Sequence, residues 1–383
     1  MHISLLRRYF FVLAIPMILL SDILLAQTVE LNIHCWDGYS RPYVEGFKAL
    51  VKKKHNIDVV LNITNVSDPD EFWQLARAER VDLISPAHNI PKSIKWPFIK
   101  HEVAIPVDLK NIPNYKYVIP FLQKNAFVTK KGVVYGVPYT MGPYGLAYNA
   151  DKVEEPTSWK ILWKPEAKGK YTISRDYPDA NIFTSALMLG ARYVDLYDSN
   201  KLFSHLGEEK LQSALLILAE NAYSLWTGTA DPDEFDQLHY AATWGYAVAV
   251  ANKKGQNWKM ARPEEGTTMW VDHWVMTYAL AKSPLKKRLA EEWINYGLGI
   301  ELQTGVIRNW GVSPVVVNLG DNITAAEKDT FATGDDGYWS SLSLWENMDR
   351  ITTDINTRAW KKATRNLKDE RSRYIKTDIL NAK

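Results

Sequence analysis

Apolar and polar residues alternate from Val29 to Ile33, the two-residue period of a half-buried strand. From Pro42 to Lys54 the apolar residues Tyr43, Phe47, Leu50 and Val51 recur at helical spacing, and Ile57 to Ile63 reads as strand again. Asp70 opens a second helix through Phe72, Trp73 and Leu75, with acidic residues suited to its N-terminus, and Val81 to Ile84 is a short apolar strand. This strand–helix–strand–helix–strand order predicts an α/β sheet with crossovers. Ligands bind such sheets beyond the carboxyl ends of the strands, where Trp36 to Tyr39 and Ser85 to Asn89 fall.

The pattern then repeats. Lys130-Lys131-Gly132 marks a turn, followed by short strands at Val133 to Pro138 and Leu146 to Asn149. Thr157-Ser158 can cap a helix carrying Trp159, Leu162 and Trp163 that Pro165 ends, and Tyr171 to Ser174 is a strand. Leu211, Leu215, Leu218 and Ala222 mark an amphipathic helix; Tyr246 to Asn252 reads as a buried strand or helix segment. Pro284 to Leu298 is a helix, and Trp360 lies in a final basic one. There is no repeat and no low-complexity linker, so two α/β units are expected as lobes that the chain crosses more than once.

The N-terminus changes the picture of location. Arg7 and Arg8 precede an apolar run, Phe10 to Leu20, too short for a comfortable membrane span, and Leu24-Leu25-Ala26 offers a small residue for cleavage. Residues 1–26 are expected to be a secretory signal, with an uncleaved anchor helix as the alternative and Sec export favoured over the twin-arginine route. The mature chain, starting near Gln27, is expected to be soluble and periplasmic and long enough for two domains. The single cysteine, Cys35, excludes an internal disulfide and a cysteine-based zinc site, and lies too far downstream for a lipobox. Lys+Arg 46 against Asp+Glu 44 is nearly balanced, which argues against nucleic acid as a partner. The 15 tryptophans stand out, and roughly a third of them are expected to line a site, since π-faces concentrate where cations or rings bind.

No GxSxG elbow, P-loop, HExxH or GxGxxG after a strand is present, so no catalysis and no cofactor are expected. The eight histidines show no metal-ligand spacing, and His273 reads as a hydrogen-bonded core or rim group before a ligand contact. Asp231, Asp233, Glu234 and Asp236 around Pro232 read as a solvated loop, not a calcium site.

Several segments resemble the bacterial periplasmic spermidine/putrescine (polyamine) binding proteins of ABC importers. Trp36-Asp37-Gly38-Tyr39 resembles that family's strand-then-Trp-x-x-Tyr opening, and Gly136 to Gly142 its G-x-P-Y-x-x-G crossover. Thr157-Ser158-Trp159 through Leu162-Trp163-Lys164-Pro165-Glu166 to Lys168-Gly169 is the most specific match; Trp244-Gly245-Tyr246-Ala247 and Trp270-Val271-Asp272 follow in order. The resemblance implies a two-lobe, type II periplasmic binding protein fold of class α/β, with the ligand in the cleft. By position it implies that Trp36, Tyr39, Trp244, Trp270 and Asp272 line that cleft, with Trp310 and Glu346 at positions where the family has tyrosine and glutamine. The chain departs from the pattern at Ala87-His88-Asn89, and at Asn181, which replaces a glutamate that nearby Asp176 or Asp179 could replace in turn.

The expected division is residues 27–139 plus 271–314 in the first lobe and 140–270 plus 315–383 in the second. The expected function is to carry a small cation, a polyamine first, to an ABC permease. A sensing subunit for a membrane signalling protein, or a receptor for another organic cation or small solute, is the alternative.

Overall fold

The computed structural model describes residues 27–36, 39, 43–66, 68–367 and 372–373; the expected signal segment, residues 1–26, lies outside the described residues. Strand β1 (Gln27–Trp36) runs parallel to β2 (Ile57–Val66), with Gln27 opposite Ile57 and Trp36 opposite Val66. The helix between them, Val44–His55, buries Phe47 and Val51 against the sheet and stops at Asn56, whose left-handed backbone no helix can continue. β3 (Leu83–Ile84) pairs with the other edge of β1. After a small hairpin, β4 (Thr129–Lys130) with β5 (Val133–Val134), the chain runs along β6 (Gly136–Pro143) out of this first lobe.

A second sheet follows: β7 (Gly145–Asn149), β8 (Tyr171–Ser174), β9 (Ser224–Trp226), β10 (Tyr240–Thr243) and β11 (Trp258–Met260). Its order is β11-β7-β10-β8-β9-β14, with β14 (Ser372–Arg373) on the edge. The chain then returns. β12 (Thr268–Met276) lies antiparallel to both β6 and β3, and so completes the first sheet from late in the sequence; β13 (Ser343–Leu344) pairs with its start.

Each sheet has its own core. Leu31, Ile33, Phe47, Trp274 and Trp293 belong to the first, and Trp159, Tyr171, Phe183 and Trp258 to the second. Among the described residues the chain passes between cores three times. Met141 packs in the first and Tyr144 in the second; Ala261 ends that stay and Met269 is back in the first; Trp339 packs in the first and Trp345 against the second.

These passages differ in place from the expected division. All of β12, Trp270 included, belongs to the first sheet, so the return precedes residue 271. Residues 315–339 also differ: Val315, Val316, Leu319, Ile323 and Trp339 pack in the first core. The Ile119 N–H donates to Val315 O at 2.9 Å, and Val118 bridges Val316, which ties this segment to the first lobe. The helix Arg350–Thr364, through Trp360 and Ala363, joins the second core, and Trp345, Met348 and Leu367 pack against it. One local expectation shifts and one open choice is decided. The segment around Trp159 is a 3-10 turn, Trp159–Trp163, with Ser158 accepting from the Lys160 N–H, and Tyr246–Lys253 is a helix.

Candidate functional site

The carboxyl ends of β1 and β8, the loop after β10 and the middle of β12 meet between the lobes. Asp272 is the chemical centre. In β12, residues 270 and 272 share a face, as alternation requires. The pairing of β12 with β6 slips between Asp272 and His273, so Val271 and Trp274 both enter the main core while Asp272 stays off it and Trp270, partly buried, packs against its edge. Asp272 is 5% exposed, and the side chains of Tyr39 and Trp36 donate to its carboxylate. Burial pushes the carboxyl up to about 8, with those two donors pulling it back. Among the described residues no cation contributes to its charge balance.

Aromatic rings surround this carboxyl. The Tyr39 ring meets Tyr139 edge-on at 5.3 Å and Trp310 at 5.0 Å; Trp36 stands edge-on to Phe72 at 4.9 Å. The second lobe supplies the facing wall. Trp244 is half-buried, with Tyr144 at 4.8 Å, Tyr177 at 5.1 Å, Trp345 at 6.1 Å and Trp226 at 6.2 Å. Tyr177 is 36% exposed, and the Asp272 charge is felt at its phenol, after desolvation and Asp176, so the wall and the carboxyl face each other.

Of the residues singled out from sequence, Trp36, Tyr39 and Asp272 are joined by hydrogen bonds, and Trp310 reaches the group through Tyr39. Trp270 shares the Asp272 face, with an indole N–H that is buried and unpartnered. Trp244 is across the cleft. Glu346 is exposed; its charge is felt at Tyr197, not at Asp272. Asn181 is spent on structure: its Oδ1 accepts from the Tyr144 hydroxyl at 3.1 Å, and its Nδ2 donates to Ser174 O at 2.7 Å. Asp176 accepts from the Gly228 N–H at 2.8 Å and remains exposed. Asp179 accepts from Asn356 at 2.8 Å, and burial pushes it up to about 6.

Three residues were not found from sequence. Tyr177 joins the aromatic lining, and Tyr139, buried in the main core, backs Tyr39. Tyr177 follows β8, so the strand-edge rule that selected Trp36 applied to it too. His88 is the third. It is fully buried, its Nε2–H donates to Trp345 O at 2.7 Å, and its Nδ1 accepts from the Val271 N–H at 3.2 Å. Desolvation holds it neutral, down to about 4. It thereby clamps the third passage between lobes onto the strand that carries Asp272. His273 is a core residue, not a cleft residue: fully buried, pushed down to about 3 by desolvation, with Nδ1 donating to Val271 O at 3.1 Å. The acidic loop is used structurally, with Asp233 paired to Lys254 and Glu234 accepting from Ser224. Among the described residues no group of His, Cys, Asp and Glu is arranged to hold a metal, and no helix is long and apolar enough to cross a membrane.

The spermidine/putrescine-binding periplasmic protein 1 of Haemophilus influenzae is 29% identical over 171 residues, 44% of each chain. The Escherichia coli spermidine/putrescine-binding periplasmic protein is 23% identical over 194 residues, 50% of this chain and 51% of its own. The chain thus spans about half the length of the curated relatives it matches. Among solved structures, the spermidine/putrescine ABC transporter substrate-binding protein PotD of Streptococcus pneumoniae superposes with a TM-score of 0.72 at 18% identity, covering 89% of this chain and 99% of that one. A GABA receptor, Atu4243, gives 0.65 at 15% identity over 88% of this chain and 98% of its own. The fold is therefore the α/β, two-lobe type II periplasmic binding fold. With the family model matching residues 79–342, the chain belongs to the bacterial extracellular solute-binding proteins.

Proposed function

We propose that the protein is a periplasmic receptor that closes its lobes on a small organic cation of the polyamine type and presents it to an ABC permease. One observation carries this reading: Asp272 is a buried carboxyl with two donors, no cation among the described residues, and aromatic walls from both lobes. A buried carboxylate demands a positive partner, and an ammonium group supplies it. Aromatic faces near a cation add about 0.5–2 kcal/mol each, and flat apolar sides suit an alkyl chain between amines. The family is one of solute-binding proteins, and the curated relatives are named for spermidine and putrescine, which favours that class over sugars.

Thermal-shift screening with putrescine, spermidine, amino acids and sugars tests the class, since a ligand that prefers the folded state raises the melting temperature. Calorimetric titration of Asp272→Asn with the best amine then tests the anchor. A loss of about 2–5 kcal/mol is expected, as for one partner of a buried charge pair. Wild-type affinity in that variant would remove the anchor and the case for a cation.

A further inference from the structure

The two lobes touch backbone to backbone at one pair of glycines. Gly245 follows Trp244 and leads into the helix Tyr246–Lys253 of the second lobe. Gly311 follows Trp310 and ends the helical turn Val306–Trp310 of the first. Both have left-handed backbones, φ 104° and 61°. A Cβ on Gly311 would lie 2.9 Å from the Gly245 carbonyl oxygen and closer still to the Ala249 methyl; a Cβ on Gly245 would run into the Gly311 carbonyl. The residue before each glycine is an aromatic that faces, or packs beside, the Asp272 cleft. Beside the contact lies a small cavity of about 30 Å³, walled on one side by Gly142 and Pro143, where the chain first leaves the first lobe. The contact is thus close to the hinge, and a small spacer there becomes a large gap at the cleft rim.

We infer that Gly245 and Gly311 form the closure stop: their lack of side chains sets how near the lobes come, and so positions Trp244 opposite the Tyr39–Trp310 pair. This rests on the reading of the protein as a receptor that closes on its ligand. The test avoids the strain that alanine would meet at a positive φ. Ala249 is a part-buried position inside a helix, facing Gly311. Leucine is nearly as good a helix former as alanine, so Ala249→Leu wedges the contact without disturbing either core.

Titration with putrescine and spermidine is paired with small-angle scattering and ligand-free melting. Ala249→Leu is expected to keep a cooperative ligand-free melt, lowered because the contact is already made without ligand, to bind roughly tenfold more weakly, the cost of one overpacked contact, and to keep a larger radius of gyration at saturation. If the wild type compacts on binding and Ala249→Leu compacts equally with unchanged affinity, the stop is wrong while the receptor reading stands. If the wild type neither binds nor compacts with either amine, the receptor reading falls and takes the stop with it.

Discussion

At Asp272 the pH dependence of binding and that of folding have opposite signs. Its carboxyl titrates near 8 in the ligand-free fold, against an ordinary value near 4, because burial disfavours the charge. A raised carboxyl contributes stability that is complete below its unfolded value and lost as pH rises through 8. Asp272→Asn removes that penalty, while its amide oxygen can still accept from Tyr39 and Trp36. The variant should therefore melt higher than the wild type at pH 8 and equally near pH 4; a lower melting point at pH 8 would show the carboxylate to be structural. Binding runs the other way. An ammonium group needs the ionised form, so amine affinity should climb by up to about tenfold per pH unit from 6 towards 8, with proton release visible calorimetrically in buffers of different ionisation enthalpy. A flat affinity across that range would separate Asp272 from the ligand. That Trp36, Tyr39 and Asp272 come together was legible because a motif resemblance fixed their order and alternation fixed the shared face of 270 and 272. Tyr177 was not, because its role depends on the second lobe being folded against the first.

The return strand and its clamp set the behaviour of the elements. His88 ties the Trp345 carbonyl to β12 and is held neutral, down to about 4; His273 beside it is held down to about 3. A histidine buried neutral gives stability that is present above its unfolded value near 6.5 and lost as pH falls through the folded one. Urea denaturation should show stability dropping between pH 6.5 and 4. In His88→Ala the total at pH 7 should fall by about 2–4 kcal/mol, from a vacated core volume and an unpaired Val271 N–H. The acid-dependent part should become shallower, with one of the two buried histidines gone. An acid profile as steep as the wild type's would mean that His88 is not neutral in the fold. The sequence carried none of this, since a histidine after Pro86 reads the same whether it faces a ligand or a carbonyl. Period was a better guide: β1, the helix Val44–His55 and β2 stand where alternation and 3.6-residue spacing put them. Around Trp159 the spacing between Ser158 and Pro165 was too short to tell an α-helix from a 3-10 turn.

At the scale of the molecule, two lobes were foreseen from two α/β series without a linker, but not where the chain changes sides. Residues 315–339 carry apolar positions that would suit either core; their packing in the first core and the pairing of Val315 and Val316 with residues 118–119 assign them. The same architecture predicts compaction when a ligand bridges the lobes, by bending at the three passages; an unchanged radius of gyration at saturation would argue against it. It also constrains the order of assembly. β12 supplies a partner to both β3 and β6, yet it begins at Thr268, after nearly the whole second sheet has been made. A chain emerging from its N-terminus can close the sheet of residues 145–260 while β1 to β3 still wait for their missing neighbour. Pulsed hydrogen exchange during refolding should then show β7, β8 and β10 protected before β3 and β6. Until residue 276 arrives, the opening third of the polypeptide is a sheet with an open seam, and that interval is when this protein is most exposed to mispairing and to proteases.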